Sequence, residues 1–130
     1  MATADELVRY AYTLRRDGDA AASLQAYRAA CEAYTQDSGR AHCLRHIGDL
    51  ARELGLQDEA RAAIREAERL YRTTVDDTLA LANTLRLRAL LDDDKTAWSE
   101  ARTLYQRVAD EKGLDLALAL AQCDARLGQN

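Results

Sequence analysis

The chain has no proline and no phenylalanine, only three cysteines, one tryptophan and six glycines. Each shortage excludes something. Without proline, no helix interior has to accommodate a ring that lacks an amide hydrogen and clashes with the preceding turn. Valine and isoleucine are scarce beside alanine and leucine. β-Branched residues favour strands, and Ala and Leu favour helices, so a sheet architecture has little support. An odd, sparse set of cysteines (Cys31, Cys43, Cys123) argues against a disulfide scaffold and for a reducing compartment, so a cytoplasmic location is expected. The longest uninterrupted apolar run, Leu116 to Ala121, is far short of the roughly 20 residues that span a bilayer. The opening MATADELVRY lacks a basic-then-apolar signal, and no membrane partner is expected.

A charge excess of either sign is also missing. The 18 basic and 22 acidic residues leave a net charge of −4 and a pI near 5.2. Nucleic-acid binders carry a basic excess, because neutralising phosphate supplies much of their affinity, so no nucleic-acid partner is expected. Of the basic residues only Lys95 and Lys112 are lysine. The rest are arginines, whose planar forks grip carboxylates.

What is present is length and helical periodicity. At 130 residues the chain fits one domain, residues 1–130, large enough to bury a core without disulfide or metal staples. Thr3 with Glu6 reads as a capping box opening a helix that ends near Asp17. Gly18-Asp19 makes a turn, with Asp19 as the next N-cap. A second helix carries Ala20, Leu24, Tyr27, Cys31 and Tyr34 and is stopped by Asp37-Ser38-Gly39. A third carries Leu44, Ile47, Ala51 and Leu54 and ends at Gly55. A fourth carries Ala60, Ile64, Ala67 and Tyr71, and Thr74 with Asp77 suggests the following cap. A fifth runs to Asp92-Asp93-Asp94. A sixth carries Trp98, Ala101, Tyr105 and Val108 and is broken by Lys112-Gly113. A last helix covers Leu114 to about Leu127. Short connections make sequence neighbours antiparallel. The expected fold is all-α, about seven antiparallel helices.

The helices repeat in pairs. The middle pair reads Leu44, Ile47-Gly48, Ala51, Gly55, Ala60, Ile64, Ala67. The first reads Leu7, Tyr10-Ala11, Leu14, Gly18, Ser23, Tyr27, Ala30, and the third Leu85, Arg88-Ala89, Asp92, a turn near Thr96, Ala101, Tyr105, Val108. Small residues at Ala11, Gly48 and Ala89 let two helices cross closely, as do Ser23, Ala60 and Ala101 on their partners. Each pair leaves an apolar face open, so pairs must stack.

These residues resemble the tetratricopeptide repeat family over about residues 4 to 111. The steps of 37 and 41 residues exceed the family's usual 34, and the closing proline is absent. The resemblance implies an α-α superhelix, a right-handed solenoid, with the last helix as a solvating cap. It also implies a protein-interaction scaffold without catalysis or cofactor, whose first helices line a concave groove for a peptide or a partner helix. Transferred to this sequence, the groove positions are Val8, Tyr12, Arg15 and Arg16, then Arg45, Asp49, Arg52 and Glu53, then Asn83, Arg86 and Leu90. Arg16, Arg45, Arg52 and Arg86 would form a cationic stripe beside a Tyr12 platform, suited to an acidic peptide. The alternative is ordinary solvated charge, with Asp49 and Glu53 neutralising the arginines. Asp49 and Arg45 replace the Asn and Lys of the family's chaperone-tail clamp, so that ligand is not expected.

Two other readings stay open. In one, the stack self-associates through its exposed edges as a structural homo-oligomer. Alternatively His42 and His46, one turn apart, share a metal. The second lacks an obvious third ligand, and Cys43 stands where a zincin's Glu would be. Cys31, beside Tyr27 and Tyr34, reads as a small buried hydrophobe, and Asp92 to Asp94 as a solvated turn.

Overall fold

The computed structural model describes residues 2–128. Among them are seven α-helices and no strand: α1 (Ala4–Arg16), α2 (Ala20–Ala33), α3 (Asp37–Glu53), α4 (Gln57–Thr73), α5 (Thr78–Asp92), α6 (Lys95–Lys112) and α7 (Ala117–Arg126). No helix of the described residues is long and apolar enough to cross a membrane. The chain divides into two compact units, Met1–Val75 and Asp76–Asn130. In the first, α1 packs on α2, α2 on α3 and α3 on α4; in the second, α5 packs on α6 and α6 on α7.

Local chemistry sets most boundaries. Thr3 and Glu6 form the reciprocal capping box. The side chains of Asp19, Asp77 and Asp94 accept from the backbone N–H of Ala22, Ala80 and Ala97, capping α2, α5 and α6. Gly113 ends α6 in the left-handed region at φ 66°, where a glycine has no Cβ to strain. Asp93 ends α5 with the same hand at φ 52°. The acidic triplet therefore terminates one helix and caps the next.

Four boundaries differ from the sequence expectation. Asp37-Ser38-Gly39 opens α3 instead of stopping α2, which ends at Ala33. An acidic residue in the first turn suits the helix dipole. Gly39 is required there because a Cβ would run into the Tyr34 ring. Thr74 closes α4, its hydroxyl donating to the Leu70 carbonyl, and Asp77 alone caps α5. The third turn comes at Asp93-Asp94, so Thr96 already lies in α6. The last helix begins at Ala117, because the Asp115 side chain accepts from the Ala117 N–H outside the helix.

The repeat positions are buried alike. Ala11, Gly48 and Ala89 are buried, as are Ser23, Ala60 and Ala101, and Tyr27, Ile64 and Tyr105. Contacts pair residues at equal distances either side of each turn, which is the mark of antiparallel hairpins. The Ser23 hydroxyl donates to the Ala11 carbonyl at 2.7 Å. A Cβ at Gly48 would lie 2.5 Å from Ile64 Cγ1. Tyr105 donates to Asn83 Oδ1 at 2.5 Å. Ser23 is therefore a cross-helix hydrogen bond in place of a methyl contact. The first unit's core centres on Leu24, Tyr27, Ile47 and Leu50, and the second's on Leu85, Trp98, Leu104 and Tyr105.

Candidate binding face between α1 and α3

The helical period puts His42, His46, Asp49 and Glu53 on one side of α3, and Val8, Tyr12 and Arg15 on one side of α1. In the first unit these two rows meet beside Tyr27 of α2. Arg15 is the junction. Its guanidinium donates to Asp49 at 2.6 Å and to Glu53 at 3.1 Å, and approaches His46 Nδ1 at 3.2 Å. Arg52 reaches Asp49 from the other side at 2.8 Å. Burial alone would weaken the Arg15 charge, but Asp49 and Glu53 outweigh it and hold its pKa above the ordinary value. Burial likewise pushes the Asp49 carboxyl up, and the hydrogen bonds from Arg15 and Arg52 outweigh it, so its pKa is lowered.

Beside this cluster lies a concavity of about 490 Å³, lined by Val8, Arg9, Tyr12, Thr13, Tyr27, His42 and His46. The His46 ring stacks on Tyr27, with centroids 4.7 Å apart and planes 3° from parallel. His42 meets His46 edge-on at 4.6 Å. His46 is held neutral. Burial is the largest cause, followed by the charges of Arg45, His42 and Arg15, with Asp49 opposing, and together they drop its pKa to about 3. The concavity thus has an aromatic floor, with the His46 ring neutral, and an exposed Tyr12 at its rim.

The sequence-derived site residues separate into several environments. Tyr12 lines the concavity. Asp49 and Arg52 are locked together with Arg15, so Arg52 does not stand as an open cation. Arg16 sits outside this cluster, exposed and paired with Asp17 at 3.3 Å. Arg45 is half-buried, and its Nε has no hydrogen-bond partner among the described residues. Asn83 and Arg86 belong to the second unit, where Asn83 accepts from Tyr105, and Arg86 partly opposes the rise that burial imposes on the Cys123 thiol pKa. Tyr27, His42 and His46 are lining residues; the sequence reading puts Tyr27 on an apolar face and leaves the two histidines out of the groove, with a shared metal as an alternative. The signal that finds the histidines is spacing: 42, 46, 49 and 53 fall on the helix face already assigned to the groove.

For the metal reading, His46 Nδ1 is turned to Arg15 and its ring is stacked on Tyr27. Among the described residues no three His, Cys, Asp or Glu side chains converge. Cys43, fully buried, is pushed up to about 12 by burial and by nearby Cys31, which leaves it a core thiol.

No family model, curated protein or solved structure matches this chain.

Proposed function

We propose that the chain is a tetratricopeptide-like interaction module that holds a segment of another protein on the α1–α3 face and carries out no catalysis. The segment places one aromatic or large aliphatic side chain in the concavity and an acidic group at Arg45. One observation carries this reading: an aromatic-floored concavity stands beside an ion cluster that fixes both of its walls. Preformed walls reduce the ordering cost of binding, and a mostly apolar recess with few polar groups suits a single anchoring side chain. Two titratable groups here, His46 and Asp49, are each held in one charge state, the first neutral and the second ionised, which favours holding over proton transfer at those two groups.

The test is selection from a random peptide library against the full chain, repeated with Tyr12→Ala and Arg45→Glu. Tyr12 is 61% exposed, so its truncation leaves the fold intact. The expected outcome is enrichment of peptides pairing an aromatic or large aliphatic residue with a nearby acid. Either substitution should weaken the winners about tenfold, a loss of about 1.4 kcal/mol. Binding indifferent to both variants, or no enrichment, contradicts the proposal.

A further inference from the structure

The helix α7 has two unlike sides. Its inner side, Ala119, Leu120 and Cys123 with flanking Leu116 and Leu127, packs on the second unit's core. Its two polar borders each touch that unit. Asp124 accepts from Arg102 at 2.5 Å, and the Arg126 guanidinium lies 5.6 Å from the Trp98 ring centroid. Between those borders the outer arc consists of Ala117, Leu118, Ala121, Gln122 and Ala125, with Leu114 just before the helix. No residue of that arc carries charge, in a chain of which 31% is charged. Leu118 is 89% exposed, the most exposed large hydrophobe described. The α4 helix, by contrast, turns charge outward with Glu66–Arg69 and Glu68–Arg72.

We propose that this arc is a dimer interface, and that its occupant is α7 of a second copy of the chain, packed antiparallel about a two-fold axis at Ala121. The arc is self-complementary. It carries one large residue, Leu118, in a row of alanines at helical spacing. With Ala121 on the axis, Ala117 faces Ala125 of the second copy. Leu118 then drops into the hollow between Ala121 and Ala125 of that copy, and the reciprocal contact follows by symmetry. Alanines on both sides allow the close approach that makes one leucine fill the gap. Charge agrees with this direction. Antiparallel pairing brings Asp115, before the start of α7, toward Arg126 at the end of the other α7, and opposes the two helix dipoles. A ten-residue helix is about 15 Å long. A single pair of such arcs buries less than the roughly 1,200 Å² of a stable interface, so the dimer is weak and concentration-dependent.

Two measurements test this on the full chain. Sedimentation equilibrium from about 10 μM to about 1 mM should show a monomer–dimer equilibrium in the upper part of that range, on the scale of weak interfaces. Leu118→Glu should return the chain to monomer with an unchanged helical circular-dichroism spectrum, since that side chain stands in solvent. For geometry, Ala121→Cys should form an inter-chain disulfide under mild oxidation at least tenfold faster than Ala62→Cys, an exposed alanine on α4 that serves as the collision control. A strict monomer throughout, a dimer that survives Leu118→Glu, or equal cross-linking at positions 121 and 62 overturns the proposal.

Discussion

In the α1–α4 unit, a charged tie crosses between the hairpins: Arg15 on α1 holds Asp49 and Glu53 on α3. In the α5–α7 unit, α7 is fastened to α6 mainly by apolar burial around Trp98 and Cys123, with one ion pair, Arg102–Asp124, at its border. The repeat register places Leu87 where the first unit has His46, and Leu90 where it has Asp49. Both units bury small residues at their helix crossings and a large residue one turn on. The repeat therefore specifies the core. The row beside those crossings is free to differ: it makes a polar-walled recess in one unit, and in the other it holds a buried Leu87 and a half-buried Leu90.

The comparison breaks most sharply at Trp98, which is fully buried and carries Arg126 over its face. Trp98→Ala should cost about 3–5 kcal/mol in denaturant unfolding. A loss under about 1 kcal/mol would show that this apolar fastening does not hold the unit, since surface substitutions stay near that range. Next comes Asp49→Ala, which takes the carboxylate from Arg52 and leaves Arg15 with Glu53 alone. Charge-assisted bonds are worth about 1.5–3 kcal/mol against about 0.5–1.5 for neutral ones, so this loss should exceed that of Asn83→Ala, which removes only the Tyr105 bond. Equal losses would erase the distinction between a charged tie and a neutral one.

Gly48→Ala sets two effects against each other. Helix propensity favours alanine by about 1 kcal/mol. Overpacking against buried Ile64, whose Cγ1 would be 2.5 Å away, costs about 1–3 kcal/mol. The clash should win, and Ile64→Val should cost less in the Gly48→Ala background than in the native chain. The smallest effect near neutral pH is at His46. Its ordinary pKa is 6.5 and its folded value is about 3, so the unfolded chain takes up the proton first on acidification. Stability from this group is complete above about pH 6.5 and is lost as pH falls toward 3. Asp49, with a lowered pKa, adds its own loss only below about 3.8. His46→Leu, which installs the second unit's residue, should flatten the slope above pH 4 and leave the lower part, as urea midpoints across pH would record.

Much of this was legible in the sequence. Gly and Asp punctuation located the helices, and the recurrence of small residues located the crossings. The misplacements share a cause. Asp37-Ser38-Gly39 and Leu114-Asp115 are equally good as stops and as starts, and only the Tyr34 ring against Gly39 and the Asp115 side chain on Ala117 N–H decide between them. For the site, helical period gave the row of α3 but not the pairing of its charges. Arg15 and Arg16 are adjacent, and which of them turns inward depends on how α1 sits on α2 and α3. Tyr27 looks like plain core by spacing, and its exposure to the recess follows from the gap between two other helices.

The most direct test of whether the α1–α3 face is a built recess or a solvated helix surface is the titration of the His46 imidazole, followed by proton–nitrogen NMR on the chain alone. The account predicts a neutral ring through pH 5, with an inflection near 3. An inflection at the ordinary 6.5 would put that ring in water, and the floor of the proposed site would not exist.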